Sequence, residues 1–181
     1  MSSCNNYALA GLPKPCEINK GGVLEVYIAN FDDVTGVTVD NTANTITSIS
    51  LASGASIYRY GIRKNTAHFE STLNISDEGG NYISTELYLQ FSKMETRKRM
   101  EMRALSVNEM VVIVKDANGI YWYLGKDEGV VASNGQGQTG TNRDDSNNYN
   151  ITLTDTSDEF PYEVSEDAMT ALAGHIVYPI V

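Results

Sequence analysis

The chain has 181 residues, enough for one domain with a buried core and too few for two domains of ordinary size. Apolar residues make up 41% of the sequence and charged residues 20%, a composition typical of globular proteins rather than disordered ones. Thirteen Lys and Arg against 23 Asp and Glu give a net charge of −10, which argues against tight binding of nucleic acid through its phosphates.

The first 22 residues form a predicted N-terminal arm that contains both cysteines, Cys4 and Cys16. A four-cysteine zinc site is excluded and no disulfide framework is indicated, so we expect two reduced structural thiols. The alternative is a two-thiol metal or redox site, but the only histidines are His68 and His175, which we expect to be packing residues. The sequence lacks a signal-peptide pattern and a long apolar run, so we expect a soluble protein of cytosolic origin.

β-Forming residues dominate the chain from residue 23 to residue 91. Residues 23–31 are apolar on both alternating faces, which predicts a strand buried on both sides. Thr, Val and Ile segments on either side of a polar break at residues 40–44 predict a hairpin over 36–50. Further strands are predicted at 56–64, 66–76 and 81–91.

The composition changes at residues 92–106, SKMETRKRMEMRALS, which are rich in Met, Glu, Arg and Leu and predict a helix. Ser92 and Glu95 have the spacing of a capping box. The apolar face is narrow, so the helix is expected to lie across a sheet on Met94, Met102 and Leu105.

Strands are again predicted at 108–116 and 120–125, joined by an Asn-Gly turn, and then at 149–157. The polar, glycine-rich residues from about 129 to 148 predict a loop or hairpin arm between them. A short helix capped by Ser165 is predicted before an extended tail. The fold class is therefore mainly β, with eight or nine strands and one well-defined helix.

Gly135, Gly137 and Gly140 have the spacing of the dinucleotide-binding motif GxGxxG. That motif must open a helix whose N-terminus meets the pyrophosphate, but the following residues, TNRDDSNNYN, favour turns and caps. We therefore interpret the glycines as part of a hairpin arm or loop, not a nucleotide site.

Asp144 and Asp145 lie in an oxygen-rich segment that is a weak candidate for a calcium site, although the EF-hand pattern is absent and a solvated turn is favoured. Carboxylate pairs occur at Asp32/Asp33, Asp158/Glu159 and Glu166/Asp167, but neighbours on a strand point to opposite faces. No hydrolase motif is visible. We predict no enzyme activity, no catalytic residues and no cofactor.

Basic residues are concentrated in the predicted helix, which holds five of the thirteen in the chain: Lys93, Arg97, Lys98, Arg99 and Arg103. With its two glutamates the helix has a net charge of +3, which leaves −13 for the remainder. One part of a molecule can therefore attract an opposite part of another copy. A solvated helix face is the alternative interpretation. We predict inter-subunit contacts at Lys93, Arg97, Arg99 and Arg103.

The order of these segments resembles that of phage tail proteins. More narrowly, the chain is similar to tail-tube-like and tail-barrel ring proteins of crAss-like phages. The segments that carry this resemblance are, in order, the early cysteine, GGVLEVYIANF, a Thr-rich hairpin, TAHFESTLNIS, the basic helix, VVIVKDANGIYWYLGKDEG, a glycine loop and YNITLTDTSDEFPYEV. The resemblance covers roughly residues 20–165.

The resemblance implies a tail-tube-like β-sandwich or barrel with one flanking helix and long hairpin or loop arms. It also implies a virion subunit whose copies form a ring around a DNA channel. The expected division is an arm at 1–22, a β domain at 23–162 and a C-terminal extension at 163–181. Expected partners are other copies, neighbouring tail or portal-side rings, and double-stranded DNA that passes through without specific binding; no membrane contact is expected.

The other hypothesis is a monomeric β-sandwich that binds carbohydrate or mediates adhesion. Trp122 with Tyr121 or Tyr123 would form its stacking platform, and Asp144 and Asp145 would hold calcium. If Trp122 instead belongs to the core, its two neighbours are expected to face outward.

Overall fold

The computed structural model describes residues 11–14 and 16–179. Cys4 and most of the predicted N-terminal arm therefore lie outside the described residues. Within the described part, the fold is mainly β with a flanking helix and a second, shorter helix, as the sequence predicts, but it has twelve strands rather than eight or nine. No helix in this part is long and apolar enough to cross a membrane.

Twelve strands and two α-helices follow one another in the described part of the chain. The strands are β1 (Val23–Asn30), β2 (Val34–Asp40), β3 (Thr45–Leu51), β4 (Ile57–Gly61), β5 (Ala67–Ile75), β6 (Asn81–Ser92), β7 (Met110–Asp116), β8 (Tyr121–Leu124), β9 (Val130–Gln138), β10 (Asn148–Ser157), β11 (Tyr162–Val164) and β12 (Ile176–Val177). The helices are α1 (Thr96–Val107) and α2 (Glu166–Leu172).

The strands form two layers that meet at one strand pair. The first layer has the order β12-β4-β1-β7-β8-β11-β3-β2, and the second has the order β9-β10-β6-β5. Met110 at the start of β7 pairs with Val130 at the start of β9 and joins the two layers. Most pairs are antiparallel, with parallel exceptions at β11/β3 and β12/β4.

The first hydrophobic core lies between the two layers. Val26 and Val112 of the first layer pack there with Leu87 and Leu153 of the second, all fully buried. Alternate side chains of each strand point to this side, as expected for two sheets packed face to face. The sandwich thus buries the apolar face of both layers.

The second core lies on the opposite face of the first layer. Tyr27 of β1 and Ile113 of β7 point to this side and pack beneath Met169 and Leu172 of α2. The β2–β3 hairpin, predicted at 36–50, contributes Ile46 to the same core and is folded against it.

Strand β1 is buried on both sides, as its sequence predicts, with one exception. Leu24 is 49% exposed, although the alternation places it on the same face as Val26 and Ile28. The register shifts between Val23 and Glu25, so Val23 takes the inward position instead. A bulge of this kind adds a residue and turns one side chain out of the core.

Helix α1 begins four residues later than predicted, and the predicted capping box is wrong. Ser92 is the last residue of β6, and Glu95 makes no side-chain cap. The chain turns at Lys93, whose φ is +68°, and the amides of Lys93 and Met94 bond to the backbone oxygen and side-chain Oδ1 of Asn147. Glu95 pairs with Lys98 at 2.9 Å instead of reaching back to Ser92.

Helix α2 agrees with its prediction. The Ser165 side chain accepts a hydrogen bond of 3.2 Å from the amide of Ala168 and caps the helix. The following tail forms β12, which pairs with β4 through Ile176 and Ile57. The predicted C-terminal extension therefore adds both a helix over the second core and an edge strand.

About half of the segment predicted as a loop or hairpin arm at 129–148 is strand. It contains β9, and only residues 139–147 form the turn before β10. Gly135 and Gly137 lie within β9, and α1 packs across this strand. The element that follows Gly140 is strand β10 rather than a helix.

Gly137 is the more tightly packed of the two glycines in β9. A Cβ there would lie 2.8 Å from the Tyr149 ring on the paired strand and 3.2 Å from Cε of Met94. At Gly135 the nearest atom would be Cε of Met102 at 3.6 Å, an ordinary contact. The glycines thus allow the helix and an aromatic ring to approach the strand closely.

We predict that Gly137→Ala lowers the free energy of unfolding by about 1–2 kcal/mol, since overpacking displaces the Tyr149 ring or α1. Gly135→Ala on the same strand should leave it unchanged or raise it slightly, because alanine restricts the unfolded chain. Urea denaturation followed by circular dichroism checks both variants. Equal stability of the two variants would contradict the close approach at Gly137.

Candidate functional site: a basic helix face and an acidic cavity

The outward face of α1 combines two arginines with two exposed apolar side chains. Arg99 and Arg103 are one helical turn apart and exposed, and neither guanidinium has a hydrogen-bond or salt-bridge partner among the described residues. Met100 and Val107 beside them are 62% and 75% exposed. Arg and Met are enriched at protein interfaces. We call these four residues the helix face.

The other two predicted contact residues lie near the start of α1. Lys93 is exposed and lies 3.8 Å from Glu95. Arg97 lines a groove between α1 and the β4/β12 edge. The structure thus divides the predicted set: Arg99 and Arg103 point away from the chain, whereas Lys93 and Arg97 have neighbours within it.

The groove beside Arg97 is about 430 Å³ in volume and has an aromatic floor, which includes Tyr60 and Phe91. The Tyr60 hydroxyl donates to Glu101 of α1 at 2.9 Å. Burial, and then this bond to a carboxylate, raise the pKa of Tyr60 above its ordinary value. Tyr178 of the C-terminal tail forms the opposite wall. The hydrogen bond between Tyr60 and Glu101 therefore links α1 to β4 of the first layer.

An acidic cavity of about 160 Å³ lies between the β8–β9 turn, the end of β10 and the segment leading to β11. Four carboxylates line it against a single ammonium group, that of Lys126. Lys126 lies 3.2 Å from Asp127 and 5.3 Å from the centre of the Tyr162 ring. The Tyr162 hydroxyl donates to Glu159. The carboxylates are Asp127, Asp155, Asp158 and Glu159.

Asp155 is the buried member of this cavity, with 2% of its surface exposed. Its Oδ2 accepts a hydrogen bond of 2.9 Å from the amide of Gly125, whereas its Oδ1 has no partner among the described residues. Desolvation raises the pKa of Asp155 despite that bond, and the negative charges of Asp127 and Glu128 raise it further. A buried carboxylate oxygen without a partner is costly and calls for a donor or a cation.

Asp145, one of the two weak calcium candidates, is engaged in hydrogen bonds within its own turn. Oδ2 of Asp145 accepts hydrogen bonds of 2.7 Å from the amides of Asn142 and Thr141, which lower the pKa of Asp145. These bonds shape the β9–β10 turn, in agreement with the solvated-turn interpretation. Among the described residues, no group of three Asp, Glu, His or Cys side chains is placed to hold a metal ion.

The aromatic platform proposed for carbohydrate binding is not present. Trp122 is partly buried, packs on Phe69 in the first core and donates from Nε1 to Asp116 at 3.1 Å. Tyr123 is buried in the second core and Tyr121 packs against it. The expectation that these neighbours face outward is wrong, because α2 and the β2–β3 hairpin cover that side of the sheet.

The histidines and the described cysteine lie at the surface. His68 is exposed and stacks on Tyr88 with ring centres 5.4 Å apart, and His175 is exposed near the Ala55 carbonyl. The prediction that both are packing residues is therefore wrong. Cys16 is an exposed free thiol, and its relation to Cys4 lies outside the described residues.

Sequence reasoning missed Asp155, the residue that most distinguishes the acidic cavity. It lies in the alternating strand 149–157, where the inward positions Ile151 and Leu153 are followed by Asp155 at the same spacing. A carboxylate at an inward position of a strand was the available signal.

Comparison with known proteins gives no matching protein-family model and no matching curated protein. The function must therefore be inferred from the surfaces of this chain.

We predict that Asp155→Asn becomes increasingly more stable relative to the natural chain as the pH rises above about 4, the ordinary pKa of Asp. A carboxyl group whose pKa is raised in the folded state holds its proton more tightly when folded, so its ionisation costs stability as the pH increases. Urea denaturation from about pH 4 to about pH 8 measures this difference, at a protein concentration low enough to keep the chain monomeric. Asp158→Asn controls for lost charge, and a pH-independent difference for Asp155→Asn would contradict the effect.

Proposed function

We propose that the protein is a non-enzymatic structural subunit of a phage tail that assembles into a ring around the DNA channel. The observation that carries the proposal is the presence of two complementary surfaces on one chain. The helix face presents Arg99 and Arg103 without partners among the described residues, and the acidic cavity presents four carboxylates against one lysine.

Arg99 and Arg103 pair with no carboxylate among the described residues of their own chain, so a contact between the helix face and the acidic cavity joins different copies. Among the described residues, none from α1 lines the acidic cavity. Such a contact is heterologous and closes into a ring when the rotation between copies permits.

Free sheet edges supply a second reason for assembly. In the described part, β5 pairs only with β6, and β2 pairs only with β3, so each layer ends in an open edge. Leu73 and Ile75 at the end of β5 are 49% and 73% exposed. Open edges with apolar side chains favour pairing with another chain. In the proposed ring, a neighbouring copy covers such an edge.

The net charge of −10 suits a subunit that surrounds DNA without holding it. Phosphates are repelled by an acidic wall, so the nucleic acid can pass without specific contacts. The concentration of cations on α1 favours a position at a contact between subunits rather than at the channel. Neighbouring tail or portal-side rings are the expected further partners.

We predict that replacing Arg97, Arg99 and Arg103 by Glu weakens self-association at least about 100-fold, since like charges then meet across the contact. Native mass spectrometry and negative-stain electron microscopy should show rings for the natural chain and monomers for the variant.

The matched control is Lys14→Glu, Arg63→Glu and Lys64→Glu, which makes the same change in net charge at exposed positions outside α1. This control should still form rings. A natural chain that stays monomeric at every concentration overturns the proposed function, and a triple arginine variant that assembles normally removes α1 from the contact.

A further inference from the structure

We infer that the acidic cavity is a receptor for an arginine of α1, Arg99 or Arg103, from a neighbouring copy of this chain. The inference rests on the proposed assembly and assigns its two contacting surfaces. The observation behind it is the unpartnered Oδ1 of Asp155, a residue that is 2% exposed and forms part of the cavity wall.

The chemistry of the cavity favours a cation. Asp127, Asp158 and Glu159 surround the entrance with carboxylates, and Asp155 lies at the buried side. Lys126 already lies against the Tyr162 ring and beside Asp127, so the wall binds one positive group from its own chain. Lys126 does not satisfy Oδ1 of Asp155, which has no partner among the described residues.

A guanidinium suits this cavity better than a metal ion. The described carboxylates are not grouped as three ligands around one point, as a metal site requires. A planar guanidinium can donate to Asp155 while it stacks on an aromatic ring such as that of Tyr162 or Phe160. The volume of about 160 Å³ is sufficient for the end of one long side chain rather than for a peptide segment.

The helix face provides such a group. Arg99 and Arg103 are exposed and lack a side-chain partner among the described residues, and Met100 and Val107 offer apolar area around them. An arginine surrounded by apolar contacts that exclude water is the usual composition of an interface hot spot. The start of β11 and Phe160, which is 54% exposed, provide apolar area on the cavity side.

The test is a charge exchange measured by analytical ultracentrifugation. One variant carries Asp158→Lys with Glu159→Lys, and a second carries Arg99→Glu with Arg103→Glu. Each variant should weaken self-association at least about 30-fold, because each places like charges in the contact. All four substitutions in one chain should restore association to within about 5-fold of the natural chain. Asp155→Asn should weaken it about 10-fold, since a neutral amide replaces the charged acceptor.

A cross-link provides a second test that tolerates small losses of stability. Two variants are made in a background of Cys4→Ser and Cys16→Ser. One carries Arg99→Cys with Glu159→Cys, and the other carries Arg103→Cys with Glu159→Cys. Each protein is oxidised and run on a non-reducing gel. At least one pair should give a ladder of linked subunits, and Arg63→Cys with Glu159→Cys should give none.

The outcomes separate this inference from the proposed function. If rings persist in the variant with Asp158→Lys and Glu159→Lys, the inference is overturned and the ring function stands. The same holds if rings form but neither cysteine pair gives a ladder of linked subunits. Failure of the four-fold exchange to restore association, with every variant folded by circular dichroism, also overturns it. A natural chain that never associates overturns both.

Discussion

The fold depends on the burial of β1 and β7 on both faces. Val26 and Val112 point into one core, whereas Tyr27 and Ile113 point into the other, so neither face of these strands can meet water. The second layer covers one face, and α2 with the β2–β3 hairpin covers the other. Burial of apolar area stabilises a fold by about 25 cal/mol per Å². The second layer, α2 and the β2–β3 hairpin are therefore held in place mainly by the apolar side chains that they bury.

The same arrangement determines where the basic helix lies. Helix α1 connects the second layer to the first, and it packs on β9 where Gly135 and Gly137 leave room for Met102 and Met94. Leu105 is its only buried residue in the described structure, so most of the helix surface remains exposed. A helix held by so narrow an apolar face presents its arginines to solvent, which is why its position suits a contact with another molecule.

Much of this fold follows from alternation and turn chemistry in the sequence. The central strands, the Asn-Gly turn and the Ser165 cap were predictable because each depends on residues close together in the chain. The start of α1 was not, because Asn147, more than fifty residues away, binds the amide of Met94. The position of Trp122 and the role of Asp155 likewise depend on which layer faces each strand. Local sequence patterns predict individual helices and strands. A site formed by strands that are distant in the sequence can be predicted only when the pairing of those strands is known.

In the proposed ring, Asp155 links stability to assembly. In a single copy, an unpartnered buried polar group costs about 1–3 kcal/mol, and desolvation of this carboxylate disfavours its charged form. A hydrophobic residue at the same inward position would remove that cost, as Leu153 does two residues earlier. The arginine proposed to come from a neighbouring copy offsets the cost of burying Asp155 only when copies associate. The free energy of that ion pair therefore stabilises the assembled state and not the single chain. A chain built in this way is less stable alone than its cores allow, and under the proposed function the difference favours the assembled state.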